Sequence, residues 1–464
     1  MGTLYYSGAA VSIPYKCDLT VGGTWAASDT VTVSINSRDL TINVGTTDVT
    51  TAGIATKIWA AFSAGRFDDN LQDDESRNCG GQEIPFFGGL QATVSGSVVS
   101  FFGPPGIPYT LSFSETSSSG TVSASTVQTA TGSAHWDNAD NWLDETGATG
   151  VPANGDKLWF DHRAGGRSCQ YGLPVSGDGL EIDELHITEG FTGMLGLPAT
   201  NNYGGRPYSE YRERYAVLTS DTGETVDIIV GEKDNGGTGP RLVNIGHVGD
   251  GSTDITVAVA VRKTGKPLQG ERAAVNLELD KDTLRNFVTV ETGTVAIDDR
   301  PQASGEGSNI LQAVVMAGGD LYLGPDVTFA PSGVTLYPSR LSVSGGTFYA
   351  ACMIQEDITL RDARSVLLKG VNQKALNVYG GTCLYSQATT SAVPSVINQS
   401  GTISFEGSCN TCGFAGLVTW TAYAGAKIWD RSGAISSYPA ISCPNGIETI
   451  TINLGGGATV TPAN

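Results

Sequence analysis

Charge is scarce in this sequence, and its sign is lopsided. Charged residues make up 16% of the 464 positions, against about 25% in ordinary globular proteins. Acidic residues outnumber basic ones by 47 to 27, which leaves a net charge of -20. Such a chain repels phosphate backbones and anionic lipid at long range, which excludes nucleic-acid binding as a main role. Long apolar runs are missing too: no stretch of about 18 apolar residues could cross a bilayer. The opening MGTLYYSGAAVSIPYKCDL has no basic region followed by an apolar core, so no secretory leader is expected and synthesis in a bacterial cytoplasm is. Histidine occurs four times (His135, His162, His186 and His247), each in a different context, and no GxSxG, HExxH or phosphate-loop pattern accompanies it. Neither an enzyme nor a cofactor is expected. The eight cysteines are irregularly spaced, so no disulfide framework is implied.

Glycine, by contrast, is abundant, with 61 residues, and serine and threonine accompany it, which is the composition of a β-protein. The length allows two or three domains. Residues 1–17 read as an N-terminal arm. Residues 18–131 read as a small α+β module. TVTVSIN and LTINV alternate apolar and polar residues around a turn at Asn36 to Asp39, as a hairpin with one buried face does. In TTAGIATKIWAAFSAG, Ile54, Ile58, Ala61 and Phe62 share one helical face behind a threonine cap at 50 or 51. Two further alternating stretches, 92–103 and 109–118, predict strands. The Ser/Thr/Gly stretch 117–134 is a linker or a long edge strand. The acidic knot Asp68, Asp69, Asp73, Asp74 and Glu75 reads as solvated surface.

Beyond residue 132 helical periodicity stops and a loose repeat begins. Gly293, Gly319, Gly346, Gly381, Gly401 and Gly425 each precede a short apolar strand, at spacings of 26, 27, 35, 20 and 24 residues. A turn glycine and a strand repeated every two dozen residues is what the coil of a parallel β-solenoid requires, since one coil cannot bury its inner face alone. Propellers and strings of sandwiches need longer, more regular repeats. Residues 132–464 are therefore predicted to be a solenoid, with residues 132–160 closing its first coil.

Four clusters invite chemistry. In HWDNADNW (135–142), His135, Asp137 and Asp140 could hold a metal and the tryptophans a sugar; alternatively Trp136 and Trp142 form a cap over the exposed strand edges of the first coil, which is the reading adopted. In YGGRPYSEYRERY, the residues Tyr203, Arg206, Tyr208, Tyr211, Arg212, Arg214 and Tyr215 are candidates for an interface, because Tyr and Arg dominate such surfaces; a hairpin with internal Arg–Glu pairs would look the same. Cys409 and Cys412 make half a zinc site, but no second CxxC exists, so buried apolar thiols are expected, Cys383 and Cys443 included. Asp320, Asp326, Glu356, Asp357 and Asp362 could pair across coils for glycan cleavage, as could carboxylates in almost any acidic β-helix.

One stretch carries a resemblance. Trp136, Asn141 and Trp142, then Val151-Pro152 and Gly155-Asp156, then LHITEGFTGMLGLPATN and YSEYRERY, together resemble β-helical structural proteins of tailed bacteriophages and prophage-like regions. The upstream segment GGTWAASDTVTVSINSRDLTINV is similar to small domains common in virion and bacterial surface proteins. The resemblance implies a right-handed parallel β-helix in a virion, often trimeric, without enzymatic activity. Its partners would be copies of itself and the major capsid or other virion proteins, with no nucleic acid and no membrane. Capsid decoration or a tail-associated place is implied. The runner-up is a tailspike-like protein that binds or cleaves host glycan, and a third reading is a bacterial surface β-helix.

Overall fold

The computed structural model describes residues 2–35, 38–47, 49–63, 90–174, 179–198, 215–219, 225–247, 256–268, 271–278, 285–297, 309–311, 313–324, 327–329, 340–352, 358–367, 375–386, 395–406, 419–430, 440–454 and 462–463. The fold is mainly β, and two bodies of different construction share it.

The first body is small. Strand β1 (Thr3–Tyr6) precedes it; β2 (Pro14–Gly23), β3 (Thr30–Ile35), β4 (Arg38–Asn43), helix α1 (Thr51–Ser63), β5 (Gln91–Ser95), β6 (Val98–Pro105), β7 (Leu111–Glu115) and β8 (Gly120–Gln128) build it. Two antiparallel sheets, ordered β5-β6-β2-β8 and β4-β3-β7, share one core with the helix. Thr50 caps α1, its Oγ1 accepting from the Gly53 amide at 3.1 Å, and Ile54 and Ile58 are buried as their spacing predicts. The Ser/Thr stretch resolves as an edge strand: β8 lies on the outside of its sheet, paired with β2.

Residues 1–17 are not a free arm. β1 lies between β9 (Trp142–Asp144), antiparallel, and β10 (Asp156–Phe160), parallel, because Leu4 and Tyr6 alternate inward while Thr3 and Tyr5 point out. The chain then leaves the ladder, and β2 starts at Pro14 rather than at residue 18. It returns through a two-stranded neck in which the Ile13 amide donates to Thr131 O at 2.7 Å and the Thr131 amide to Ile13 O at 3.2 Å.

The second body is a pair of parallel ladders. One runs from β10 through β11 (Leu180–Thr188), past β12 (Met194–Leu195) and β13 (Ala216–Thr219), to β14 (Thr225–Glu232), and on past β15 (Leu242–His247) to β16 (Thr256–Val261). The other starts at the first residues of β11, which pair with β13, and β12 and β13 both pair with β15. From there each strand hydrogen-bonds to the one a coil later, ending at Pro462–Ala463 in the first ladder and Thr451–Leu454 in the second, while Asn309–Leu311 and Val327–Phe329 pair with each other outside both ladders. Each coil thus supplies one strand to each sheet, which is the arrangement of a β-solenoid rather than of a barrel. Inward residues such as Val314, Met316, Leu321, Leu323, Leu341 and Phe348 fill one continuous core.

Coil length is far from constant. Leu185 stands beside Ile228, 43 residues on; Phe348 stands beside Ser365, 17 on, and Ser365 beside Cys383, 18 on. Between the first-ladder strand and the second, however, the corner is always three residues at 291–293, 317–319, 344–346, 361–363, 379–381 and 399–401. There the amides of Thr347, Arg364, Thr382 and Thr402 donate to the carbonyls of Gly319, Gly346, Ala363 and Gly381 at 2.8 to 3.0 Å, one coil to the next. At Gly346, where φ is +75°, a Cβ would stand 1.7 Å from Gly319 O, so only glycine admits this contact.

That corner explains the irregular repeat. The 35-residue gap from Gly346 to Gly381 conceals a whole coil, in which Ala363 takes the glycine place. Asp362 beside it takes φ +51°, the one non-glycine positive φ among the described residues. Gly425 is one residue out of phase, since Thr402 pairs with Lys427 and puts Ala426 in the equivalent place.

Candidate functional site

HWDNADNW sits where the neck meets the ladder. Asn138 accepts from the Asp140 amide to start a short 3-10 turn at Ala139–Asn141, and its Nδ2 donates to Thr131 Oγ1 at 2.6 Å. Asn141 is fully buried and fully bonded. Its Nδ2 donates to Gly132 O and His135 O, its Oδ1 accepts from the Ala10 amide, and its carbonyl accepts from the Ser7 amide. One side chain therefore ties the departing chain to the returning one, which is why an asparagine suits the place.

Trp136 and Trp142 are 3% and 0% exposed. Their rings meet edge to face at 4.9 Å, Trp142 packs on Tyr6 and Phe160 at 5.1 and 5.4 Å, and its Nε1 donates to Trp136 O. They form an aromatic layer at the β9 end of the core and offer no open face to a sugar. The metal reading of this stretch is not supported by its geometry: His135 Nδ1 is 3.7 Å from Asp137 Oδ1 while its Nε2 faces Gly106 O at 2.9 Å, and the Asp137 side chain is 65% exposed.

Of the candidate interface, Tyr203, Arg206, Tyr208, Tyr211, Arg212 and Arg214 lie outside the described residues. Tyr215 is described and is 5% exposed, beside Gly246 of β15, so it packs within this chain instead of projecting as a contact. Cys409, Cys412, Asp326, Glu356 and Asp357 also fall outside. Cys383 is buried, and burial pushes its thiol up to about 12, as an apolar side chain's surroundings would. Cys443 is partly buried.

Chemistry concentrates instead on the outward face of the first ladder, where register stacks residues that the sequence keeps far apart. Tyr5, Trp159 and His186 are successive partners on β1, β10 and β11. Trp159 and His186 stack in parallel at 3.9 Å, Tyr5 lies 6.1 Å from Trp159, and the Arg163 guanidinium sits 3.7 Å over the Tyr5 ring. The ring faces are occupied by one another. Around them runs an ion-pair network: Lys157 with Glu184, both nitrogens of His186 with Glu184 (3.0 Å) and Glu232 (2.8 Å), and Arg262 with Glu232 (3.3 Å). The hydrogen bond from Lys157 holds Glu184 below the usual carboxylate range. Every carboxylate in this network has a cationic or imidazole neighbour, which suits a coil-to-coil tie more than proton transfer.

Beside it, Asp161 and His162 of the corner after β10 meet Asp234 of the corner after β14, with one donor atom from each inside 4.8 Å. Burial alone would raise Asp234; hydrogen bonds from His162, the Asn235 amide and Thr188 outweigh it and hold the carboxyl at about 2. In the sequence His162 and His186 stood out only as scattered histidines, and none of these residues was marked as a site. Their partners depended on coil lengths that no motif announces. No protein-family model, curated protein or solved structure matches the chain.

Proposed function

We propose that the chain is a non-enzymatic structural protein of a bacteriophage particle, with an α+β module at one end of a right-handed parallel β-helix that assembles as a homotrimer. The observation that carries the structural role is the doubled ladder. From β10 to Pro462–Ala463 each coil bonds its backbone to the next, and at its other end β9 runs antiparallel over the aromatic layer. A rod whose amides are paired along its length resists proteolysis and shear, and threefold assembly would multiply weak contacts into firm attachment. Placement in a virion rests on the resemblance of residues 135–215, and capsid decoration or tail association follows from the same likeness, with capsid or other virion proteins as partners.

The test is to find the polypeptide in purified particles by mass spectrometry and to locate it there with labelled antibody. Regular copies on capsid or tail are expected. Absence from particles overturns the placement, a monomer at high concentration in native mass measurement overturns the trimer, and release of sugar from host capsule or lipopolysaccharide overturns the non-enzymatic reading in favour of a tailspike-like one.

A further inference from the structure

The group at the corners after β10 and β14 has the composition of a ligand set. Asp161 is 5% exposed. One of its oxygens accepts from the Arg163 amide at 2.8 Å, and the other stands 3.6 Å from Arg163 Nε, beyond hydrogen-bond reach. A nearly buried carboxylate thus has one oxygen held only by a 3.6 Å ion pair with Arg163, without a hydrogen bond from it, next to an imidazole and a second carboxylate. His162 Nδ1 is 2.8 Å from Asp234 Oδ2, and Thr188 Oγ1 donates to that same oxygen at 3.1 Å. Between the two corners lies Gly190, where a Cβ would come within 2.9 Å of Asp234 Oδ2 and 3.0 Å of His162 Cβ. Any larger residue would fill the space these groups share.

We propose that Asp161, His162 and Asp234 bind a first-row divalent transition-metal ion such as Zn2+. Ligands about 2.0 to 2.2 Å from one zinc ion stand roughly 3.0 to 3.5 Å apart; the 2.8 Å between His162 and Asp234 is already near that, and with all three donor atoms within 4.8 Å of one another a modest contraction seats the ion. One imidazole with two carboxylates is the donor mixture that zinc and its neighbours accept. Calcium, which takes six to eight oxygens, has too few here. The ion replaces the hydrogen bond between His162 and Asp234, the imidazole carrying its proton on Nε2 instead. Water completes the coordination on the exposed side of His162. Because β11 lies between β10 and β14, the ion spans from the first rung to the third and fastens the beginning of the ladder.

The test is calorimetric titration of the metal-free full chain with zinc chloride, with thermal unfolding and visible absorption of the cobalt-loaded protein beside it. One ion per chain, a raised unfolding midpoint and cobalt d–d bands are expected. His162→Gln, on a half-exposed side chain, removes the bands and the zinc heat while the far-ultraviolet circular dichroism of the parent is retained. Asp234→Asn does the same, and Thr188→Val, which only frees the carboxylate that Thr188 orients, weakens zinc binding about tenfold. Absence of zinc binding below millimolar concentration, binding undiminished in His162→Gln, or calcium binding as tight as zinc overturns the proposal.

Discussion

The first rungs of the ladder and the coils from residue 340 onward are held in register by different means. The first rungs add side-chain ties to their backbone ladder, namely the indole layer, the Asn141 hub and the stacked Trp159 and His186; between β11 and β14, where a coil spends 43 residues, the added ties are His186 with Glu232 and Thr188 with Asp234. Between 347 and 382 two coils spend 17 and 18 residues, and alignment rests on three-residue corners whose amides bond to the carbonyls of the coil before. Long excursions need specific side-chain ties, whereas a minimal coil can be set by backbone geometry alone.

The largest test of this contrast is Trp142→Ala. Deleting a fully buried indole wedged among Tyr6, Trp136 and Phe160 should cost about 3–5 kcal/mol in chemical denaturation, and Trp159→Ala, on the outward face, well under half as much. Equal losses would mean that the aromatic layer is not what secures the first rungs. Next comes Gly346→Ala, which combines an unfavourable left-handed φ with a Cβ driven into Gly319 O; a loss of at least about 2 kcal/mol is expected from those two effects together. Asp362→Gly, one coil on, should stay within about 1 kcal/mol of the parent, since relief of φ +51° is offset by a more flexible unfolded chain. If the two variants behave alike, the corner does not set the coil.

Between these regimes stand Asn244 and Asn276, stacked inside successive coils, with Asn276 Nδ2 donating to Asn244 Oδ1 at 2.8 Å and Asn244 Nδ2 to Leu197 O at 2.6 Å. Asn276→Ala strips a donor from a buried oxygen and should cost about 1–3 kcal/mol in thermal or denaturant unfolding. The smallest effect is electrostatic. Glu184 titrates below its ordinary value of 4.5 when folded because Lys157 hydrogen-bonds to it. Its contribution is therefore present above about pH 4.5 and disappears as the pH falls through the depressed folded value. The stability gap between the parent chain and Glu184→Gln, followed from pH 7 to pH 3, should close on acidification; a gap that widens would show that the network around His186 is repulsive.

Much of the architecture was legible because period and turn chemistry are local. Alternation in TVTVSIN and LTINV marked β3 and β4, the spacing of Ile54 and Ile58 marked α1, and glycines before short apolar strands marked the coils. The missing coil at Asp362 and Ala363 was not legible, since a left-handed aspartate leaves no glycine to count. Nor was the place of β1: four residues, TLYY, carry a strand's alternation but name no partner, and β9 lies more than 130 residues away.

The sequence by itself determined that this protein would be mainly β, built of stacked short strands and acidic overall, because each of those properties resides in composition or in neighbours a few positions apart. Only the tertiary structure decided which side chains became neighbours across coils. Arg163, Tyr5, Trp159 and His186 form one column, and Asp161, His162 and Asp234 one cluster, because coil lengths of unequal size came into register, and register is a sum over the whole intervening chain that no local pattern records.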